Sequence, residues 1–256
     1  MLRGLYTAYT GMLNQQQRLE VTTNNLANAS TVGFKKEGAT SQAFDECLAI
    51  KINDCTVGYR HQDLGNMSLG VKIGETYTNY TQGSFRETGE PFDLAIAGSG
   101  FFNIAYTNKN GVQSTLYTRD GSFSLTKDGH LVTKDGDFVL NKAGAPVVLP
   151  TDAKLSIDSL GNIYEGNELL DSLKITDFED YNYIDKFGEN MYKIVDGAVE
   201  KDALGQINQG YLEMSNVQVV EEMVNMITIQ RAYEAAQKVE TSMDGILEQT
   251  VTLGKL

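Results

Sequence analysis

The feature that most constrains this chain is a long helix-forming run near its C-terminal end, from Gln209 to Leu253. No proline occurs in it, and Gly245 is the only glycine between Gly210 and Gly254. The run predicts one helix of roughly 38 residues, about 57 Å long at 1.5 Å per residue. A helix of that length is typical of a coiled coil or a repeat architecture, and it exceeds what the core of a small domain can cover.

The start of this helix has a signature of its own. Met214-Ser215-x-x-Gln218 has the form of a capping box, which predicts Ser215 as the N-cap residue. Glu221 and Glu222 would then lie in the first turn, where the positive end of the helix dipole stabilises acidic side chains.

The apolar residues of the run recur at spacings of three and four, so the helix has one apolar face that requires a partner. The pattern resembles an imperfect coiled-coil seam; the alternative is an amphipathic helix packed on its own domain. Beside this face, Glu234 can pair with Lys238 on the same helix, whereas Arg231 can pair across an interface. The rows with a spacing of seven are Ala232, Val239, Ile246 and Leu253, and Met226, Tyr233, Glu240 and Leu247.

A second amphipathic helix is predicted at the N-terminal end, from about Leu2 to near Ala27, because the polar residues 28–31 and then Gly33 make continuation unfavourable. Pairing the two terminal helices is the simplest way to bury both apolar stripes, and it gives a coiled-coil-like stem. A stem this polar is marginal alone, so we expect both termini to be poorly ordered in the monomer and to fold on assembly. The stripe of the N-terminal helix is Leu5, Met12, Leu19 and Leu26, spaced by seven.

The composition is that of a globular protein, since 41% of the 256 residues are hydrophobic. The net charge of -13 argues against binding of nucleic acid or anionic lipid by bulk electrostatics. The sequence has neither a membrane-spanning segment nor a Sec-type signal peptide, so the default expectation is a cytoplasmic protein unless another export route exists. Cys47 and Cys55 are expected to be free thiols; a small disulfide loop is the alternative.

Between the helices, the chain is predicted to form a β domain. From Thr76 apolar and polar residues alternate, and pairs such as Asp128-Gly129 and Asp135-Gly136 mark tight turns. The predicted fold class is therefore α+β, with long N- and C-terminal helices forming a coiled-coil-like stem and an inserted, mainly antiparallel β domain. The predicted domains are 1–40 (N-terminal helix and motif loop), 41–75 (irregular connector), 76–205 (β-rich outer domain) and 206–256 (C-terminal long helix).

The sequence gives no positive reason to infer a catalytic, metal or cofactor site. Gly98-Ser99-Gly100 lacks the third glycine of a dinucleotide fingerprint and is interpreted as a tight turn. Neither His61 nor His130 has a metal-ligand spacing with the cysteines, and the Asp-Gly pairs lack the pattern of a calcium loop. We therefore predict a protein that is not an enzyme and uses no cofactor and no small-molecule substrate.

Several short motifs resemble those of bacterial flagellar axial proteins of the rod and hook. The N-terminal signature is Asn24-Asn25-Leu26-Ala27-Asn28 followed by Thr31-x-Gly33-Phe34-Lys35. Segments 80–83, 91–96, 100–102 and 117–123 are similar to the family's central β domain, and 212–217 and 222–234 to its C-terminal helix. The motif residues are Asn24, Asn25, Leu26, Asn28, Thr31, Gly33, Phe34, Ser215, Asn216, Gln230, Arg231, Tyr233 and Glu234.

The resemblance implies a structural subunit of the flagellar rod, proximal or distal, that polymerises helically through its terminal helices and transmits torque. It implies copies of the chain and other rod or hook subunits as partners, and passage through the flagellar type III export apparatus to the basal body without a cleaved signal peptide. A head-to-tail, non-closing contact between identical subunits generates such a helical filament. The predicted subunit interface consists of Leu5, Met12, Leu19, Leu26, Val224, Ile229, Tyr233, Ala236, Met243 and Leu247.

Two other classes stay open from the residues alone. A secreted or surface β-domain protein with a coiled-coil stalk would form a discrete oligomer in solution and could bind a glycan. An enzyme with a helical oligomerisation arm would require a pocket with converging titratable groups.

Overall fold

The computed structural model describes residues 2–51, 62–107, 113–150, 155–188 and 190–254. Within these residues a long helix lies towards each end of the chain, with strands between them, so the α+β fold class is confirmed. The first helix, α1, spans Leu2–Ala27, as predicted. The second helix, α2, spans Val219–Leu253 and has 35 residues. Neither of these described helices is long and apolar enough to cross a membrane.

The start of α2 differs from the prediction, because Ser215 is not its N-cap. Gln218 occupies that position without a side-chain hydrogen bond. Ser215 is buried, and its hydroxyl accepts a hydrogen bond from the backbone N–H two residues later. Residues 206–213, predicted as part of the helical segment, form two strands that keep the chain extended almost to the start of the helix. The two acidic residues predicted for the first turn do lie there.

The chain forms two compact units. Unit 1 comprises Met1–Ala27, Glu37–Asn79 and Gln218–Leu256, whereas unit 2 comprises Asn28–Lys36 and Tyr80–Val217. The chain therefore passes from one unit to the other four times along its length.

In unit 1, α1 and α2 pack on each other as an antiparallel pair. Met243 lies against Gly4, where an added Cβ would be 3.0 Å from the methionine Cε. Asn25, at the other end of α1, donates a hydrogen bond to Glu222, at the start of α2. Because residue numbers rise along one helix as they fall along the facing one, the two helices run in opposite directions.

In unit 1, the described residues between 37 and 79 are mostly in β strands, whereas an irregular connector was predicted over 41–75. The strands form two antiparallel pairs, each with a register shift. Asn14 on α1 accepts a hydrogen bond from Ser41, so α1 supports one of these pairs. The strands are β1 (Glu37–Ala43) paired with β4 (Val71–Thr78), and β2 (Cys47–Lys51) paired with β3 (Gln62–Met67). β1 and β4 are mostly exposed, and β1 itself, Glu-Gly-Ala-Thr-Ser-Gln-Ala, has no alternation of apolar and polar residues.

Unit 2 contains the remaining strands, and all their pairings are antiparallel. The largest sheet has nine strands, and a three-stranded sheet and two pairs accompany it. The nine-stranded sheet comprises β7 (Phe101–Thr107), β8 (Gln113–Thr118), β9 (Ser124–Leu125), β10 (Leu131–Val132), β11 (Phe138–Val139), β15 (Ile175–Phe178), β16 (Ile184–Phe187), β17 (Met191–Ile194) and β18 (Glu200–Asp202). The three-stranded sheet is β12 (Leu155–Ile157), β13 (Asn162–Glu165) and β14 (Glu168–Ser172), and the pairs are β5 (Phe85–Glu87) with β20 (Tyr211–Glu213) and β6 (Leu94–Ala97) with β19 (Gln206–Gln209).

Glycines mark two of the tight turns of unit 2 that the sequence predicted. Gly129 and Gly136 have φ of 81° and 93°, a region that residues with a Cβ rarely adopt. Gly98 and Gly100, at φ of 107° and 127°, lie in the bend between β6 and β7, so that motif is a turn. Asn110-Gly111, a further pair of the type that predicts a tight turn, lies outside the described residues, as do Cys55 and His61.

Two apolar clusters form the core of unit 2. The larger one joins strands from several sheets and includes the fully buried Phe102 and Ile163. The second is aromatic and lies beside a short 3-10 helix, Tyr181–Tyr183, whose Tyr181 ring stacks on Tyr80 at 4.9 Å. The members of this aromatic cluster are Phe101, Tyr117, Phe178, Ile184 and Tyr192, with Tyr80, Tyr181, Ile194 and Ala198 at its edge.

The aromatic cluster makes the stability of the protein sensitive to high pH. Burial, together with a hydrogen bond to Asp177, raises the pKa of Tyr181 from 10.0 to about 12. The folded state therefore holds this proton more tightly than the unfolded state, so stability falls as pH rises from 10 towards 12. In Tyr181→Phe, denaturant unfolding should show a shallower loss of stability over this pH range. Tyr183→Phe, at the exposed end of the same 3-10 helix, is the control, and an unchanged slope in Tyr181→Phe would contradict the assignment.

Candidate functional site: the motif clasp and the helix faces

The two terminal motifs meet inside unit 2, although they lie far apart in sequence. The backbone N–H of Gly33 donates to the carbonyl oxygen of Glu213 at 2.8 Å. The backbone N–H of Lys36 donates to Oδ1 of Asn216 at 2.7 Å. These bonds join the segment that follows α1 to the segment that precedes α2. We call the central group of side chains here the motif clasp; it consists of Gly33, Lys35, Arg119, Glu213 and Asn216.

The carboxylate of Glu213 is the centre of the motif clasp and is fully buried. Its Oε1 accepts hydrogen bonds from Lys35 Nζ at 2.6 Å and from the backbone N–H of Gly83 at 2.9 Å. Its Oε2 accepts from Arg119 Nη1 at 3.3 Å. Lys35 Nζ also donates to the carbonyl oxygen of Thr81 at 2.9 Å. One buried carboxylate therefore offsets two buried cations.

The charges of the motif clasp are held in an environment with little water. Burial lowers the pKa of the Lys35 ammonium, and the neighbouring Arg119 lowers it further, whereas the charge and hydrogen bond of Glu213 oppose both effects. The Arg119 guanidinium lies 5.1 Å from the centre of the Phe101 ring, a cation–π contact with the aromatic cluster. The arrangement can hold chain segments together, but it presents no reactive group to solvent.

The glycine of the motif clasp is required by close packing as well as by backbone conformation. Gly33 has a φ of +70°, and a Cβ added to it would lie 2.5 Å from the backbone nitrogen of Asp120. Phe34 beside it is buried, with Lys186 Nζ 4.2 Å from its ring centre. Thr31 donates to the Asn28 side chain at 3.0 Å. The family motif in this loop therefore fixes its conformation.

Asn25 performs a comparable role in unit 1. Its side chain exchanges two hydrogen bonds with the backbone of Glu37, at 2.8 and 2.9 Å, and its Nδ2 also lies 3.4 Å from Glu222 Oε2. Asn25 and Glu222 are both buried. This buried polar group connects the end of α1, the start of β1 and the first turn of α2. It fixes how far the two helices slide along each other.

Most residues predicted to form the subunit interface are buried or half-buried within unit 1. Ile229, Ala236 and Met243 continue the row of seven that begins at Glu222, and each is buried or half-buried. Val224 and Tyr233, by contrast, are exposed. The others, Leu5, Met12, Leu19, Leu26 and Leu247, are also buried or half-buried.

Other apolar residues of the helices face outward. Val220, Met223, Val224 and Ile227 project from the side of α2 opposite to the Glu222 row, and all four are exposed. The predicted row Ala232, Val239, Ile246 and Leu253 is exposed as well. On α1 the exposed stripe is Tyr6, Tyr9 and Leu13. The motif residues that are exposed are Asn24, Gln230, Arg231, Tyr233 and Glu234.

A cavity of about 790 Å³ lies in unit 2 between the motif loop and the turn after β10. It is lined by Asp120, Asp135 and Asp137 among hydroxyl groups, with Arg86 and Lys134 also present. Burial and the nearby Asp135 raise the pKa of Asp137. Among the described residues, no three His, Cys, Asp or Glu side chains converge in a way that could hold a metal ion.

The charged part of the motif clasp was missed by sequence reasoning. Lys35 and Glu213 each stand in a quoted motif, but a motif does not say which distant residue a charge will meet. Arg119 stands in a segment assigned only to the β domain. A usable signal was that Lys35 and Glu213 each lie directly beside an apolar residue of a terminal motif, Phe34 and Leu212.

Comparisons with known proteins agree with this architecture. Three family models match: a flagella basal body rod protein model over residues 5–35, the flagellar hook protein FlgE/F/G D1 domain over 95–165, and the flagellar basal body rod FlgEFG protein C-terminal model over 208–253. The first range covers most of α1 and the loop that follows it. The second covers unit 2 from β6 to β13, and the third covers β20 and α2. These features define a flagellar axial protein.

Similar proteins extend the match to nearly the whole chain. The flagellar basal-body rod protein FlgG of Bacillus subtilis (strain 168) is 34% identical, with 99% of each chain covered. FlgG of Agrobacterium fabrum is 34% identical over 95% of this chain and 96% of its own, and FlgF of Caulobacter vibrioides is 32% identical over the whole of both. The chain belongs to the flagellar basal-body rod protein family, and the resemblance read from its motifs is confirmed.

The motif clasp predicts unequal effects of removing its charges. Glu213→Gln leaves two buried cations without a counter-charge and should lower the free energy of unfolding by about 3–5 kcal/mol. Lys35→Met leaves Glu213 paired with Arg119, so its cost should be clearly smaller. The double variant should be more stable than Glu213→Gln alone, because one uncompensated cation is gone. Denaturant unfolding measures all three, and equal losses for the two single variants would contradict this account.

Substitution of Gly33 allows the stability cost of backbone strain to be distinguished from the cost of steric overlap. Gly33→Ala should cost about 1–2 kcal/mol for the left-handed backbone and more for the overlap with Asp120. Gly89 has a similar φ of +74° but open space around it, so Gly89→Ala reports the backbone term alone. Thermal unfolding should therefore show a larger loss for Gly33→Ala, and equal losses would mean that the close packing has no energetic weight.

Proposed function

We propose that this protein is a structural subunit of the bacterial flagellar rod, which polymerises helically through its terminal helices and transmits torque. The relatives named as flagellar basal-body rod proteins support this role. They favour it over a surface glycan-binding protein or an enzyme with a helical arm. Localisation to the basal body and partnership with other rod or hook subunits follow from the same role.

The observation that carries the proposal is the apolar surface of α2 on the side away from α1. A helix of a self-contained domain buries one stripe and exposes polar residues on the rest of its circumference. In α2, Val220, Val224 and Ile227 are exposed by 76%, 54% and 49%. Large exposed apolar surfaces of this kind mark protein–protein contacts. We infer that these residues meet neighbouring subunits.

The proposed interface therefore differs in emphasis from the one read from the sequence. Ile229, Ala236, Met243 and Leu247 hold the helix pair together inside the subunit, whereas Val224 and Tyr233 are available to neighbours. The exposed stripe Tyr6, Tyr9 and Leu13 gives α1 a second contact surface. The motif residues Gln230, Arg231 and Glu234 lie exposed on α2 and can supply the polar contacts between subunits.

The same proposal includes the stem and the inserted β domain that the sequence predicted. The helix pair would form the coiled-coil-like stem, and unit 2 would be the β domain inserted between its halves. Export through the flagellar type III apparatus, without a cleaved signal peptide, fits a subunit that must reach the basal body. That both termini are poorly ordered before assembly stays a prediction.

Charge placed on the outward side of α2 tests the proposal. Val224→Asp and Ile227→Asp should abolish incorporation into basal bodies and swimming, because a buried, unpaired carboxylate in a helix contact is strongly unfavourable. Since both side chains are exposed in the monomer, unit 1 should keep its helix content by circular dichroism. Leu169→Asp in β14, where the leucine is exposed by 56%, is the matched control outside the helices and should assemble. Normal rods in both α2 variants would overturn the interface.

Leu19→Asp and Leu247→Asp, at two positions of the interface predicted from the sequence, provide a contrasting test. Both side chains are half-buried in unit 1. Charging them should unsettle the helix pair itself as well as any contact between subunits. They should lower helix content in the isolated protein, which Val224→Asp should not, and this difference separates the two kinds of surface.

A further inference from the structure

The last segment of unit 2 in sequence, residues 206–217, runs through the unit as a strap, and we call it the closing strap. Its first part is β19, which pairs with β6, and its second part is β20, which pairs with β5. Beyond β20, the backbone N–H of Met214 donates to Ser84 O at 2.8 Å, and the side chain of Asn216 donates to Thr81 O at 3.0 Å. Neither β5 nor β6 has another strand partner among the described residues.

The closing strap also completes the core. Ile207 belongs to the larger apolar cluster, and Leu212 is buried. The Gln209 side chain satisfies two separate pieces of backbone: its Nε2 donates to Pro91 O at 2.8 Å, and its Oε1 accepts from Ile157 N at 3.1 Å. Without the strap, apolar residues of β6 and backbone groups on both sides of it would be exposed.

The strap brings the only carboxylate of the motif clasp. Lys35 and Arg119 belong to earlier segments, and each is buried in the finished unit. Before Glu213 arrives, their mutual repulsion and loss of hydration would oppose burial of both groups. Burial of an ammonium or guanidinium without a partner costs several kcal/mol, so an arrangement that buries both residues before the strap is in place is disfavoured.

We propose that the closing strap is a folding latch: unit 2 remains open until residues 206–217 are present, and its large sheet and the strap then form together. A chain made or delivered from its N-terminus is then unable to complete unit 2 until about the last fifth of its sequence arrives. The same event brings the end of α1 near the start of α2, because residues 33–36 and 213–216 are joined in the motif clasp. An incomplete chain therefore has no finished subunit to offer for assembly.

This inference concerns folding of the single chain; only its consequence for assembly rests on the proposed function. It is tested on the full-length protein by refolding from denaturant with pulsed hydrogen exchange, read by mass spectrometry of peptides. The latch predicts that amides of β7 and β8 gain protection at the same rate as those of β19 and β20. Protection of β7 and β8 before the strap would overturn it, whatever the result of any assembly assay.

A pair of variants tests whether formation of the large sheet depends on the closing strap. Leu212→Ala removes buried apolar surface from the strap alone and should slow the gain of protection in β7 and β8 as much as in β20, by threefold or more. Leu169→Ala, at an exposed position of β14, is the control and should leave both rates unchanged. If Leu212→Ala slows protection of β20 but not of β7 and β8, the large sheet forms without the strap and the latch is refuted.

Discussion

The interaction on which the rest of this structure depends is the buried carboxylate of Glu213. It accepts hydrogen bonds from an ammonium, a guanidinium and a backbone N–H, and none of these donors lies near it in sequence. Buried charge pairs add little net stability, because desolvation offsets their attraction, but they penalise every arrangement in which one partner is missing. Glu213 therefore selects which segments meet. Arg119, in the middle of the chain, joins both terminal motifs to the aromatic cluster.

The apolar residues of the helices fall into two groups, one packed inside the subunit and one exposed on its surface. The row that includes Ile229, Ala236 and Met243 packs inside the subunit, and the buried Asn25–Glu222 pair sets the alignment. Val220, Val224 and Ile227 remain outside. A polar contact inside a helix pair lowers stability compared with an apolar one but defines a single alignment, so the outward residues occupy defined positions. That regularity is what a repeating assembly requires of its subunits.

The sequence predicted the elements with strong periodicity and missed those set by distant contacts. The bounds of α1 follow from apolar residues at a spacing of seven and from the polar residues and glycine beyond Ala27. The pairing of β1 with β4 was missed because β1 is a polar, largely exposed strand without apolar alternation, and its partner lies about 35 residues further along the chain. Ser215 was misread as a helix cap because pairing of β20 with β5, 125 or so residues away in sequence, delays the helix.

The candidate functional site was likewise only partly predictable from the sequence. Motifs identified the family and the loop around Gly33, because local backbone conformation leaves a mark on local sequence. They did not reveal that Lys35 and Arg119 share one carboxylate, which is a property of the folded chain alone. Nor did periodicity distinguish the apolar row that is buried within the subunit from the row that faces outward, since both have the same spacing.

The four passages of the chain between the units have a mechanical consequence. Most two-domain proteins are joined by one linker, and a load on one domain reaches the other through a single covalent chain. Here a load applied to the helices of unit 1 would be shared among four peptide segments acting in parallel, at 27/28, 36/37, 79/80 and 217/218. Residues 33–36 and 213–216 are cross-connected by the motif clasp, so two of these segments share one anchor. Separating the two units therefore requires tension in four peptide segments rather than in one.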